Sequence, residues 1–195
     1  LSEIPHLFER AVLPLDVALL HVSPPDAHGY CSLGVSVDVA RAAVRFAKVL
    51  IAQVNPRMPR THGEGMVHSS RFAAMVEVDE ALPEVDYASA IGPTEERIGA
   101  LCSELIEDGS TLQMGIGAIP DAILRGLKNH KDLGVHTEML SDGLLPLLRA
   151  GVITGRYKRK YPGRVVTSFA LGTRALYDQV DDDPIFNFLD TQYVN

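Results

Sequence analysis

The stretch Thr111-Leu-Gln-Met-Gly-Ile-Gly-Ala-Ile-Pro-Asp-Ala-Ile-Leu124, with Gly134-Val-His-Thr-Glu-Met-Leu-Ser-Asp-Gly143 shortly after it, leaves this chain few ways to fold. A short run, Thr111–Met114, then two glycines one residue apart, then an apolar stretch opened by Pro120, reads as strand, turn and helix start. Glycine serves the turn and proline suits the first helical turn. The second stretch reads as the next strand, Val135–Glu138, with a carboxylate at its C-terminal end. Strand, helix and strand in succession form a βαβ unit with parallel strands. In open parallel sheets ligands gather outside the carboxyl ends of the strands. Glu138 and the turn Gly115–Gly117 are therefore the first candidates for a site.

The chemistry of those residues fits acyl transfer. A carboxylate can attack an acyl carbon. The N–H groups of Gly115, Ile116 and Gly117, at a helix start, can hold the oxyanion that forms. A plainer reading stands beside this one, a tight strand-to-helix connection that merely needs small residues. The turn falls short of a dinucleotide fingerprint, because Pro120 stands where the third glycine belongs.

The same alternation runs through the rest of the chain. Val17–Val22 and Lys48–Val54 are compact apolar runs, hence buried strands, and Ala74–Val78 is a third. Ser36–Ala47 reads as a helix capped by Ser36, with Val39, Ala43, Phe46 and Ala47 on its apolar face. Asn55–Arg71 is a long polar loop rich in Pro, Gly and His, and such loops are commonly functional. Residues 83–93 read as a linker. Beyond it Thr94 caps a helix with Ile98, Leu101, Cys102, Leu105 and Ile106 on one stripe, ended by Gly109. A helix over Pro120–Leu127, one over Leu144–Ala150, a strand over Val165–Ala170 and a helix over Arg174–Val180 complete the pattern. The expected organisation is residues 1–82 as most of one α/β domain and 94–195 as the beginning of a second, both with mainly parallel sheets.

Composition excludes some classes. With 46% hydrophobic and 22% charged residues the chain can bury a core, and disorder is not expected. A net charge of -7 gives no surface for nucleic acid. The basic cluster Arg156-Tyr-Lys-Arg-Lys160 marks a solvated loop or meets a phosphate. Cys31 and Cys102 belong to no Cys-x-x-Cys motif, and a reduced cytoplasmic protein is the simplest reading. No run reaches transmembrane length and no secretory signal is visible. The chain opens on Leu1 rather than Met and stops soon after a strand-like run, so it reads as a piece of a longer protein.

Among the other polar residues, His136 and Glu138 share a strand face by period alone. With His62 and His68 they match no short metal motif, and no metal is expected. Asp142 reads as a cap for the helix that follows it. His28 either lines a pocket or finishes a turn.

The chain resembles the acetyl-CoA hydrolase/transferase family, and within it the butyrate and 4-hydroxybutyrate type of CoA-transferase. The residues that carry the likeness are Val22–Asp38, Ala52–Gly63, Leu112–Asp121 and Gly134–Gly143. The resemblance implies two similar α/β domains of CoA-transferase-like (NagB/RpiA-like) fold, the second incomplete here. It implies that Glu138 is the nucleophile, passing through an acyl-glutamyl anhydride to a glutamyl-CoA thioester. Gly115, Ile116 and Gly117 would then bind the oxyanion and CoA, and His28, His62 and Gln113 would line the substrate pocket. It implies acyl-CoA and a short-chain carboxylate as partners, coenzyme A as a substrate, no further cofactor, no nucleic acid or membrane, and a homo-oligomeric full-length form. It also implies that the loop Asn55–Arg71 lies near an interdomain cleft with His62 close to Glu138. Family members are considerably longer, and their later Gly-Gly-Gln segment has no counterpart here. An acyl-CoA hydrolase and a non-catalytic binding module are the alternative readings.

Overall fold

The computed structural model describes residues 1–195. In chain order the elements are α1 (Ile4–Glu9), β1 (Val17–Val22), β2 (Tyr30–Ser32), α2 (Ala40–Phe46), β3 (Val49–Val54), β4 (Met66–His68), β5 (Ala74–Glu77), α3 (Pro93–Ser103), β6 (Thr111–Leu112), α4 (Ala118–Gly126), β7 (Gly134–His136), β8 (Met139–Leu140), α5 (Leu145–Arg149), β9 (Val165–Thr167), β10 (Phe169–Ala170), α6 (Arg174–Val180), β11 (Phe186–Phe188) and α7 (Thr191–Val194). The chain divides into two compact units, Leu1–Pro83 with Val180–Asn195, and Glu84–Gln179.

In the first unit β1, β3 and β5 form a parallel sheet in that order, with Val17 opposite Val49 and Ile51 opposite Ala74. Burial alternates along the strands as the two-residue period requires. Ala18, Leu20 and Val22 of β1 and Leu50, Ala52 and Val54 of β3 enter the core, while Val17 and Leu19 are exposed. The helix expected from Ser36 begins only at Ala40. Ser36 turns its hydroxyl to the Asp38 carboxylate instead of capping, and the buried residues are Ala42 and Val44. The long loop is not wholly irregular, because β4 lies within it and pairs antiparallel with β2, Tyr30 opposite His68.

The sequence reading placed all of 94–195 in the second domain. The structure returns Val180–Asn195 to the first unit. That segment is held by Asp182 N–H to Arg60 carbonyl (2.8 Å), Phe188 N–H to His62 carbonyl (2.8 Å) and Glu64 N–H to Phe188 carbonyl (2.9 Å). It closes on α7, whose first turn Asp190 caps through Gln192 N–H.

In the second unit β9, β7 and β6 are parallel neighbours in that order, with Thr111 opposite Gly134 and Val135 opposite Val165. Helix α3 starts at Pro93, one residue before the expected cap. Its first turn is closed by Glu95, whose Oε2 accepts the Gly92 N–H at 2.9 Å. Helix α3 packs on α4 at close range. A Cβ on Gly99 would lie 2.6 Å from the Ala122 carbonyl oxygen, so only glycine allows this approach. Of the expected apolar stripe, Cys102 and Ile106 line a cavity of about 300 Å³. Leu101 and Leu105 instead face outward, 59% and 84% exposed.

Candidate active site

The site is built on a break in one strand. The expected strand Val135–Glu138 stops at His136, and pairing resumes in β8, where Met139 lies opposite Phe169 of β10. Between them Thr137 N–H reaches the Val166 carbonyl at 3.0 Å, and two successive N–H groups, of Ser168 and Phe169, point at the single Glu138 carbonyl at 3.0 and 3.1 Å. The Thr167 hydroxyl lies between the same oxygen (3.2 Å) and the Phe169 carbonyl (3.1 Å) and can donate to either. Two residues here oppose one, the pattern of a bulge carried by Ser168 and Phe169, with Glu138 opposite it. Glu138 is half-buried and is fixed through its carbonyl by two backbone N–H donors.

Opposite Glu138 lies the segment from β6 to α4. Gln113, Met114, Gly115 and Ile116 line one cavity of about 470 Å³ together with Glu138, Met139 and Phe169. Gly117 does not line it. It sits at the N-terminus of α4 with φ of 107°, a backbone geometry that a side chain would strain. None of the structure's backbone hydrogen bonds uses the N–H groups of Gly115, Ile116 or Gly117 as donors. Gly115 and Ile116, just before a helix start, share with Glu138 a cavity lined by two methionines and a phenylalanine, and backbone N–H groups left free there suit an anion or a developing oxyanion.

The sequence reading missed the residues that join the two walls. The Thr137 hydroxyl, fully buried, donates to the Met114 carbonyl at 2.9 Å and accepts the Met114 N–H at 3.0 Å. Ser141, also buried, donates to Asp121 Oδ1 in the first turn of α4 at 3.0 Å. Burial raises the Asp121 pKa, against the opposing effect of the Ser141 hydrogen bond. The available signal was the run of hydroxyls Thr137, Ser141, Thr167 and Ser168 interrupting otherwise apolar strand sequence.

Other candidates fall elsewhere. Asp142 does not cap the helix after it. Its carboxylate accepts the N–H and hydroxyl of Thr173, just before α6. His136 lines a separate cavity of about 360 Å³ with Thr111, Tyr157, Lys158, Arg159 and Lys160. The basic cluster is not simply a solvated loop, because Lys158 is buried and its Nζ donates to the carbonyls of Val135 (2.6 Å) and Arg164 (2.7 Å). Desolvation pushes its pKa down to about 8. No three His, Cys, Asp or Glu side chains converge as a metal ion requires.

His28 and His62 belong to the first unit, whereas Glu138 and Gln113 belong to the second. His28 is exposed in a turn where its N–H meets Asp26 Oδ1 at 2.9 Å. His62 Nε2 lies 3.1 Å from Asp182 Oδ1. No helix is long and apolar enough to cross a membrane.

Comparison with known proteins puts this geometry in context. Residues 1–90 match the family model described as the acetyl-CoA hydrolase/transferase N-terminal domain. The chain is 50% identical over 196 residues to a succinyl-CoA:acetate/propanoyl-CoA:succinate CoA transferase of Fasciola hepatica, covering 100% of this chain and 41% of that protein. It is 49% identical to a 4-hydroxybutyrate coenzyme A transferase of Clostridium kluyveri, covering 99% of this chain and 45% of that one. The crystal structure of a 4-hydroxybutyrate CoA-transferase from Porphyromonas gingivalis superposes with a TM-score of 0.94 at 46% identity, over 99% of this chain and 49% of that chain. The chain thus spans less than half the length of these relatives. Its first 90 residues match that family model, and the whole chain is similar to CoA-transferases along less than half of their length.

Proposed function

We propose that this chain forms part of an acyl-CoA:carboxylate CoA-transferase in which Glu138 is the covalent nucleophile. The observation that carries the reading is the placement of the Glu138 carboxylate in one cavity with Gln113, Met114, Gly115 and Ile116. A Glu138 oxygen attacks the thioester carbonyl carbon of an acyl-CoA. The carbonyl oxygen takes the negative charge and meets the N–H groups of the glycine turn. The C–S bond breaks, CoA leaves as thiolate, and an acyl-glutamyl anhydride remains. The thiolate then attacks the glutamyl carbonyl, which releases the original acid as a carboxylate and leaves a glutamyl-CoA thioester. A second carboxylate accepts CoA by the same steps in reverse. One preorganised oxyanion donor is typically worth about 3 kcal/mol of barrier.

The lining by Met114, Met139 and Phe169 supports short aliphatic acyl groups, of the size of acetyl, butyryl or 4-hydroxybutyryl. The unpaired thiols of Cys31 and Cys102 support a cytoplasmic location.

The test uses the full-length protein, given acyl-CoA without an acceptor acid. Borohydride reduction followed by peptide mass mapping is expected to find the adduct at Glu138. Glu138→Gln keeps the volume, removes the charge and abolishes turnover. Glu138→Asp retracts the carboxylate by one methylene and lowers kcat by about 10²-fold, as a misplacement on that scale does. A label mapping to another residue, or near-normal turnover by Glu138→Gln, overturns the mechanism.

A further inference from the structure

We propose that the hydroxyls of Thr137 and Ser141 are positioning residues that set the distance between Glu138 and the glycine turn, a role that rests on the function proposed above. The nucleophile and its oxyanion donors lie on different strands, twenty or more positions apart in sequence. In a regular sheet the ladder would fix their spacing, but here the ladder has ended. The paired strands β6 and β7 run only through Thr111–Leu112 and Gly134–Val135. Beyond that point Met114, at the root of the glycine turn, has no backbone partner on the strand that carries Glu138.

Thr137 replaces the missing rung. Its one hydroxyl meets both backbone groups of Met114, accepting from the N–H at 3.0 Å and donating to the carbonyl at 2.9 Å. A hydroxyl has one donor and two acceptor positions, so it can serve both groups at once. Thr137 is adjacent to Glu138 in the chain, so the bond ties the wall of donors directly beside the nucleophile. Ser141 makes a second tie on the other side. Its hydroxyl donates to Asp121 Oδ1 at 3.0 Å, and Asp121 stands in the first turn of the helix that the glycine turn opens. The two walls of the cavity are thus pinned before and after Glu138, by residues that do not line the cavity themselves. Both pins are shielded from water, Thr137 at 0% and Ser141 at 5% exposure, so water does not readily substitute for them.

This separates Thr137 and Ser141 from residues that merely fill space. Thr137→Val preserves the shape and removes only the hydroxyl. Thr137→Ser keeps the hydroxyl and loses a methyl group. Ser141→Ala cuts the other pin with a minimal change of volume.

The experiment compares these variants in the full-length protein by two readouts. The first is amide hydrogen exchange in the peptide spanning the glycine turn, followed by mass spectrometry. Thr137→Val is expected to raise exchange of the Met114 amide, whose N–H the Thr137 hydroxyl accepts, by tenfold or more, Ser141→Ala by less, and Thr137→Ser to stay near wild type. The second is the single-turnover rate of adduct formation from acyl-CoA. Thr137→Val is expected to slow it by about 10²-fold, the scale of an ångström-level misplacement, with KM for acyl-CoA within threefold and with Thr137→Ser restoring most of the rate. The inference is overturned if the Met114 amide stays as protected in Thr137→Val as in wild type, or if it loses protection while the rate of adduct formation is unchanged. If the wild-type protein forms no adduct at Glu138, the proposed function fails, and the exchange readout alone still decides whether the hydroxyls hold the turn.

Discussion

Lys158 shows what a single buried charge does to this molecule. Its ammonium sits under strand β7 and is held by the carbonyls of Val135 and Arg164. Those two bonds do not replace a full hydration shell, so the charged form is disfavoured and the pKa falls from 10.5 to about 8. The unfolded chain keeps this proton up to about its ordinary value, whereas the folded chain gives it up from about pH 8. Between those limits the unfolded state binds more protons, so stability rises with pH across that window. The penalty is fully present below pH 8 and comes to about 3 kcal/mol. Urea midpoints of the full-length protein at pH 7.5 and 9.5 are therefore expected to show a rise in wild type that is absent in Lys158→Met. The variant also removes the two hydrogen bonds to the Val135 and Arg164 carbonyls, so at pH 9.5 it is expected to be the less stable protein. Equal pH slopes in the two proteins would mean that the amine is not depressed.

At the scale of elements the tightest constraint is the crossing of α3 over α4. Gly99 brings the two backbones together, and an added methyl group would lie 2.6 Å from the Ala122 carbonyl oxygen and 2.7 Å from its carbon. That neighbour is backbone inside a helix and cannot rotate away. Gly99→Ala is expected to destabilise by about 1–3 kcal/mol, the usual cost of overpacking, despite the better helix propensity of alanine. A chemical-denaturation midpoint at or above wild type would show that α3 can shift without loss. Helix α4 carries the glycine turn on its N-terminus, so the same substitution is also expected to slow turnover.

Elements differed in how much the sequence disclosed. Strand β1 and helix α6 match their expected bounds, because each is a clean run with the right period. The glycine turn was legible because Gly115, Gly117 and Pro120 leave few backbone alternatives. Strand β4 was hidden, since Met66-Val-His68 is too short to display a period. The return of Val180–Asn195 to the first unit was hidden for a different reason. It depends on pairings such as Asp182 with Arg60 and Phe188 with His62, which no local pattern encodes. Thr137 and Ser141 were overlooked on similar grounds. A hydroxyl on a strand looks neutral until its partner, here Met114 or Asp121, is brought beside it.

At the scale of the whole molecule, one surface of the first unit is unlike that of a typical monomer. Along β1 and β5, Leu19 is 77% exposed, Val76 57% and Val17 50%. Leu19, Ile51 and Val76 line a shallow cavity of about 330 Å³ with His21 and Gln53 between them. Strand β5 is exposed along its whole length and lies at the end of its sheet. An uncovered apolar face beside an unpaired strand edge is a site for self-association. The relatives this chain matches are more than twice as long, so a large part of their sequence has no counterpart here. The 195-residue chain alone is therefore expected to self-associate at micromolar concentration, to bind a hydrophobic dye, and to be inactive. Replacing Leu19 and Val76 together with lysine puts two charges on the open face, and sedimentation is expected to shift toward monomer without loss of β-sheet signal. A 195-residue chain that is monomeric, unfolds cooperatively and turns over acyl-CoA would show that the open face is stable as it stands.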